Sequence, residues 1–400
     1  MKSSIEKLHT ISNKNNKKIL GLMSGTSLDG LDIALCEVKG NGKNTAIHLE
    51  NFITIPYKPE VKDEIKSIFS KKNIELEKLC LLNEWIAVIH ANMINNTLEK
   101  WGVSATEIDL IASHGQTIYH APLSLHQNIT FGNGTLQIGD GDHIAVKTGI
   151  ITIADFRQKH IATGGEGAPI ATYGDYLLFS DKHTNRILLN IGGISNLTFI
   201  PADKEFEKVI STDIGPGNNL MNEWMLKHFT NESFDKDATI AKKGIVNEEL
   251  LVALQSNPFF ENTFPKTTGS ELFNLSYIED AIRRCKKSSP SNEDVMATLN
   301  RFTAVNICNA INHFIADRPN SEILISGGGI HNPLLMSFIK HQFNQISVNT
   351  TSEKGINPDA KEAILFAILA NETISGDKKT FGAGSRNMPN VSMGKICLPD

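Results

Sequence analysis

The sequence contains no run of 18 apolar residues, which excludes a hydrophobic membrane-spanning helix and leaves the membrane out of the expected partners. Cysteine is sparse. Cys36, Cys80, Cys285, Cys308 and Cys397 form no CxxC pair and no His/Cys cluster at zinc spacing, so neither a disulfide scaffold nor a zinc module is expected. They read as small buried hydrophobes of a reducing cytoplasm. Excess positive charge is also missing, with 39 Lys and Arg against 44 Asp and Glu and a net charge of −5. Without a basic face, nucleic acid is not an expected partner. The first twenty residues are rich in Lys and Asn and lack the apolar core of a signal peptide, so 1–17 is expected to be a disordered leader. Three familiar signatures are absent too: the GxxxxGK[ST] of a Walker A loop, the full GxGxxG of a dinucleotide fold and the GxSxG of a nucleophile elbow.

What is present is a globular composition, 40% apolar and 21% charged, with 30 Gly. At 400 residues the chain exceeds the roughly 250 to 300 at which single cores stop growing, so two domains with a cleft are expected. Short apolar runs rich in β-branched residues, at 19–23, 108–112, 150–156, 187–191, 209–214 and 322–325, end in Gly-rich or polar turns and predict strands. Between them 81–98 and 305–315 read as helices; in the second, Ile307, Ala310, Ile311 and Phe314 share one face. Strands alternating with helices give an α/β class. Segments 19–38 and 187–200 both read as strand, Gly/Ser turn, strand, a hairpin repeated about half a chain apart. That pair suggests two related α/β domains, each offering a polar tip to the cleft. Their spans are set at 18–184 and 185–400, with the polar run SDKHTNR as the break.

The first tip, Gly25-Thr26-Ser27-Leu28-Asp29-Gly30, joins backbone freedom to hydroxyls and one carboxylate. Converging N–H groups in such a turn bind phosphate. Asp29 is the candidate ligand for Mg²⁺, a hard ion that takes oxygen, although a tight turn closed by its own Asp fits the residues equally well. The second tip carries Gly192 and Gly193 without an acid. A third turn, 211–218, puts Asp213 and Gly215 at a strand end ahead of a helix. Gly327, Gly328 and Gly329 follow a strand and open the next helix, where a flat ring or a phosphate can approach the backbone closely. The densest polar stretch, 154–169, follows a strand and offers Asp155, Arg157 and His160, then Gly164, Gly165 and Glu166. An imidazole titrates near neutrality, which makes His160 a candidate proton acceptor, while a lone loop His is more often simply solvated. Ser113-His114-Gly115-Gln116 also ends a strand, and its side chains suit either a polyol or a backbone partner.

Taken in order, GLMSGTSLDGLDIAL, ASHGQTIYH, LQIGDGDHIA, ADFRQKHIATGGEGAPIA, NIGGISNLT, STDIGPGNNLMN, FDKDATIAKKG, PKTTGSELF, SGGGIHNPLL and PDAKEAILFAILA resemble the anhydro-N-acetylmuramic acid kinase family, from Gly21 to about Ala370 without reordering. The resemblance implies the two-domain actin/hexokinase-like (ribonuclease H-like) fold with a central cleft, ATP and Mg²⁺ as cofactors, and a sugar substrate from the bacterial cell wall. It implies hydrolysis of the anhydro bridge of 1,6-anhydro-N-acetylmuramic acid with phosphorylation of O6, as in murein recycling, by a cytoplasmic homodimer. Carried over residue by residue, Gly25, Thr26, Ser27, Leu28, Asp29, Gly30, Leu31 and Asp32 take the ATP phosphates. Gly192, Gly193, Asp213, Gly215 and Gly327 to Gly329 take the nucleotide. His114, Gln116, Gly164, Gly165 and Glu166 take the sugar, with Asp155, Arg157 and His160 as catalytic residues. Two positions depart from the family pattern: His160 stands where relatives carry the Asp that activates water, and Glu166 where they usually carry Gln. Those departures leave open a shifted sugar specificity or a silent binder.

Overall fold

The computed structural model describes residues 2–400 except 26, 27, 29, 168, 169, 204, 205, 230, 231, 270, 287–289 and 377–390. Its strands, in chain order, are β1 (Asn16–Ser24), β2 (Gly30–Lys39), β3 (Ala46–Pro56), β4 (Leu110–Ala121), β5 (Gly134–Ile138), β6 (Thr152–Ala154), β7 (Asn185–Ile191), β8 (Ile194–Ile200), β9 (Ile210–Pro216), β10 (Ser321–Ser326), β11 (Ser347–Thr350) and β12 (Lys395–Cys397). The chain forms two compact units, Met1–Leu178 with Ala360–Asp400, and Phe179–Asp359. The α/β class read from the alternation of elements is present in both.

In the first unit the sheet order is β12-β6-β4-β1-β2-β3, with β5 paired to β4. β1, β2 and β3 form an antiparallel meander, whereas β4 runs parallel to β1 and β6 parallel to β4. In the second unit the order is β11-β10-β7-β8-β9, again a meander followed by two strands parallel to its first. The likeness between segments 19–38 and 187–200 is therefore a likeness of topology: each is the opening hairpin of the same strand plan. A parallel pair must return through a crossover, and helices supply it, Leu76–Trp101 before β4 and Asn292–Ile315 before β10. Strand residues of β1, β4, β7 and β10 are buried almost throughout, as strands covered on both faces require.

Three expectations are corrected. Residues 2–12 are a helix with Ile11 buried, not a disordered leader, and Ser375 Oγ donates to the carbonyl of Ser12. The first unit also does not end at 184. The helix Ala171–Phe179 carries the chain to the second unit, and 360–400 return to the first. The returning helix Lys361–Ser375 buries every residue from Ala363 to Glu372, packing on β1, β2 and β4. Its approach is close enough that a Cβ on Gly21 would lie 1.9 Å from the carbonyl oxygen of Ala363, so only glycine fits that strand position. Of the cysteines, Cys36 and Cys308 are buried, but Cys80 is exposed.

Candidate functional site

In the first unit the tip between β1 and β2 is held from below by a line of buried polar groups. Gln116, 0% exposed, donates through Nε2 to the carbonyls of Gly25 (3.1 Å) and Thr117 (3.2 Å), which leaves Oε1 as an acceptor for Ser24 Oγ at 2.6 Å. With its one proton so used, Ser24 accepts from Tyr57 Oη at 2.7 Å, and Tyr57 in turn accepts from His90 Nε2 at 2.6 Å. The donor count fixes every proton in the line. Burial agrees with it, pushing the Tyr57 phenol up and the His90 imidazole down to about 4, so both stay neutral.

Thr26, Ser27 and Asp29 lie outside the described residues, and with them the Asp29 metal assignment. Leu28 and Leu31 are core residues, 4% and 1% exposed, so their expected phosphate contact does not involve their side chains. Gly30 lies against the backbone of Ile55, and Asp32 accepts from Thr54 Oγ1 at 2.6 Å across β2 and β3.

The polar stretch 155–167 gathers at the carboxyl ends of β4 and β6. Asp155 has a positive φ of 55° and forms an ion pair with Lys395 of β12. Arg157 opens the short helix Arg157–Ala162; its Nε–H donates to His114 Nε2 at 3.0 Å and its Nη1–H to the carbonyl of Gly167 at 2.8 Å. His114, 2% exposed, donates from Nδ1 to the carbonyl of Gly115 at 2.9 Å and rests on the ring of Phe366, centroids 4.8 Å apart. Burial first, and the guanidinium second, push its imidazole down to about 3. Burial also lowers the Arg157 guanidinium to about 10, against the opposing influence of Glu362, so Arg157 remains a cation at neutral pH. His160 is fully buried and accepts the Gly167 N–H on Nδ1 at 2.8 Å. Glu166 is exposed, and Ser124 Oγ donates to its Oε1 at 3.0 Å.

In the second unit, three glycine turns from distant parts of the sequence meet at one edge of the sheet. The N–H groups of Gly217 and Asn219 donate to the carbonyl of Gly193 (2.8 and 3.1 Å), and that of Asn218 to Gly192 (2.8 Å). A Cβ on Gly217 would lie 2.3 Å from the Gly192 carbonyl oxygen, and one on Gly329 2.2 Å from Ile191 Cγ2. Gly327, with φ of 84°, turns the chain out of β10 beside Asn190. Asp213 of β9, half-buried, accepts from the Thr268 N–H at 2.9 Å, and burial raises its carboxyl to about 6. Gly215, with φ of 141°, faces the ring of Phe260.

The model of the anhydro-N-acetylmuramic acid kinase family matches residues 17–396. The chain is 52% identical over 401 residues to an anhydro-N-acetylmuramic acid kinase of Pseudoalteromonas atlantica, covering 100% of both proteins. It is 39% identical to one of Caldanaerobacter subterraneus, covering 98% of this chain and 100% of that one, and 38% identical to one of Clostridioides difficile, covering 94% and 97%. The chain belongs to the anhydro-N-acetylmuramic acid kinase family.

Within this member of the kinase family, the residues singled out from sequence divide into two kinds. Asp213, Gly192, Gly193, Gly215 and Gly327 to Gly329 come together at one sheet edge, and Asp155, Arg157, His160, Gly164, Gly165 and Glu166 surround one short helix. His114 and Gln116 instead stand behind the site: their hydrogen-bonding groups are turned to Arg157, Ser24 and backbone rather than outward to a sugar. Sequence reasoning missed the loop between β4 and β5, where Asn133 donates to the Gly165 carbonyl at 3.0 Å, and the start of β5, where the Thr135 carbonyl accepts from Gln158 at 2.9 Å. It also missed Glu362, an exposed carboxylate at the start of the returning helix whose charge acts on Arg157. The PDAKEA motif was visible, but its unit was not.

Proposed function

We propose that the protein opens the anhydro bridge of 1,6-anhydro-N-acetylmuramic acid with water and phosphorylates the released O6, giving N-acetylmuramic acid 6-phosphate and ADP. The match to the kinase family over 17–396 carries this reading. In balance, the oxygen of water bonds to the anomeric carbon as the bond from that carbon to O6 breaks. O6 takes the phosphoryl group, and a proton of water is lost.

Phosphoryl transfer needs positioning and charge stabilisation more than covalent chemistry from the protein. The edge built by Gly192, Gly193, Gly217 and Gly327 suits a nucleotide because a Cβ has no room at Gly217 or Gly327, so that backbone rather than side chain forms the surface there. The line from His90 to Gln116 holds the Gly25 carbonyl, at the entry to the turn expected to receive phosphate. ATP supplies the phosphoryl group and Mg²⁺ neutralises its charge. Among the described residues, no group of three His, Cys, Asp or Glu is placed to hold a metal. Mg²⁺ keeps several waters and takes only one or two carboxylates beside substrate phosphates, and Asp213 of β9 is the described carboxylate that would serve beside the nucleotide edge. On the sugar side, Arg157 offers a cation fixed on the Gly167 carbonyl, next in the chain to the exposed Glu166, while Glu362 is an exposed carboxylate whose charge Arg157 feels.

No helix among the described residues is long and apolar enough to cross a membrane. We place the reaction in the cytoplasm, where ATP is available, and expect a homodimer, the commonest oligomer, to be seen by light scattering. The deciding experiment supplies purified protein with ATP, Mg²⁺ and the anhydro sugar, and measures ADP and product mass. A product heavier than the sugar by water plus phosphate supports the reading; no ADP above a sugar-free blank overturns it.

A further inference from the structure

Strand β12 lies at the edge of the first unit's sheet and brings a single cation to a cavity there. It pairs antiparallel with β6, Lys395 opposite Ala154 and Cys397 opposite Thr152. Gly394 allows this approach: its φ is 93°, and a Cβ on it would lie 2.6 Å from Ile153 Cγ2. Just before it Met393 is buried, and its carbonyl accepts from Thr373 Oγ1 of the returning helix. Lys395 is thereby fixed beside Asp155, the residue that leaves β6, 240 positions earlier in the chain.

Asp155 has a left-handed backbone, with φ of 55°, a conformation that a residue with a Cβ keeps only where its surroundings hold it. Such strain gathers at ligand sites, and the carboxyl ends of the strands are where open α/β sheets bind ligands. Both features meet at a cavity of about 380 Å³, a size that suits a small molecule, at the carboxyl ends of β4 and β6. Asp140, Asp142 and Asp155 line it, and Lys395 is the one lysine or arginine among its lining residues. The Lys395 ammonium donates to Asp155 Oδ2, and among the described residues no other side chain donates to that carboxylate. The same bond, with Cys397 and Asp140 behind it and burial opposing, raises the ammonium above the ordinary lysine value. Asp140 and Asp142 bring like charge to the same wall, so the ammonium is what opposes their push on Asp155. We propose that Lys395 is a positioning residue for the reaction, which holds the Asp155 carboxylate in place at the wall of the cavity that takes the sugar. The inference rests on the kinase reading above and adds to it a residue from the far end of the chain.

The two side chains are 63% and 29% exposed, and a pair so open to water contributes little to stability, which lets function be separated from folding. Lys395→Met is expected to keep the urea midpoint of the parent while kcat for ADP release falls ~10-fold or more, with KM for ATP unchanged. Lys395→Arg, which restores a cationic donor, is expected to recover most of that loss. Asp155→Asn is expected to lower kcat further, and adding Lys395→Met to it to change nothing more, because the two residues act as one unit. Full kcat in Lys395→Met, losses that simply add in the double variant, or a urea midpoint that falls along with kcat overturns the proposal. Turnover by the parent protein is the separate test of the kinase reading. Should the parent be inactive, ¹⁵N spectra of lysine-labelled protein decide: a Lys395 ammonium that titrates lower in Asp155→Asn than in the parent supports the pair, and an unmoved signal removes it.

Discussion

Arg157 and His114 form a pair in which a buried cation donates to a neutral ring, Nε to Nε2 at 3.0 Å. The ring can accept only because its own proton is held on Nδ1 by the Gly115 carbonyl. Arg157 itself is expected from its sequence position at a strand end; the support behind it is not, since His114 lies 43 residues earlier. Replacing His114 by Phe keeps the apolar contact with Phe366 but leaves a guanidinium N–H without its partner. A buried donor so left costs ~1–3 kcal/mol. His114→Phe is therefore expected to fold with a lower urea midpoint and to lose kcat/KM for the sugar by one to two orders of magnitude, with KM for ATP little changed. Equal losses for both substrates would remove the specific role of the pair.

The same burial sets a dependence of stability on pH. His114 and His90 titrate at about 3 and about 4 in the folded protein and near 6.5 unfolded. Between those values the unfolded chain binds more protons than the folded one, so stability rises with pH through the window. It is fully present above about 6.5 and is lost as pH falls toward 4, on the order of 1 kcal/mol per pH unit for each imidazole. Urea midpoints at pH 7, 6 and 5 are expected to fall in that order. His90→Gln, which keeps a donor for Tyr57 but cannot titrate, is expected to reduce the slope; an unchanged slope would show that other groups set it.

How far the sequence carries depends on the range of the interaction. Local patterns were sufficient for both hairpins and for the strands β4, β6, β9 and β10, because alternation and Gly-rich turns act over a few residues; β3, β5, β11 and β12 carried no such signal. Local patterns also picked out the glycine turns at 192–193 and 327–329, which the fold brings together with 217–219. Two things were not legible. One was where the helix Lys361–Ser375 docks, since a helix apolar on all sides can bury itself in either unit. The other was which way a polar side chain faces. Gln116 and His114 look like ligand contacts in the string SHGQT, and only the register of β4 against β1 turns Gln116 toward Ser24. His160 belongs to the same case, its meaning set by Gly167, seven residues on.

The docking of that helix gives a direct test. Gly21→Ala puts a methyl 1.9 Å from the Ala363 carbonyl oxygen, a backbone atom that cannot swing aside. Overpacking of this kind costs ~1–3 kcal/mol or more, and the variant is expected to be destabilised by at least that amount in urea. Gly102→Ala is the control. Its φ of 66° is unfavourable for alanine, but nothing lies within 4 Å of the new Cβ, so a cost of about 1 kcal/mol is expected. Equal costs for the two would mean that the sheet and helix have room to part.

Asp213 offers a case in which stability and function pull apart. Burial raises its carboxyl to about 6 from an ordinary 3.8, with the Thr268 N–H opposing the shift. Between those two values the folded state binds the extra proton, so stability declines as pH rises through the window, and above about 6 the protein carries a charge its surroundings disfavour. Asp213→Asn removes that charge and retains an oxygen for the Thr268 N–H. The variant is expected to be more stable than the parent at pH 8, by ~1–2 kcal/mol, with the gain vanishing near pH 4. Turnover is expected to fall at least tenfold and to respond less steeply to Mg²⁺, because an amide is a poorer ligand for a hard cation. Unfolding curves at pH 4 and pH 8 and a Mg²⁺ titration of ADP release check both halves. A variant stabilised at pH 8 with full turnover would make Asp213 a half-buried structural acid and leave the metal to other oxygens.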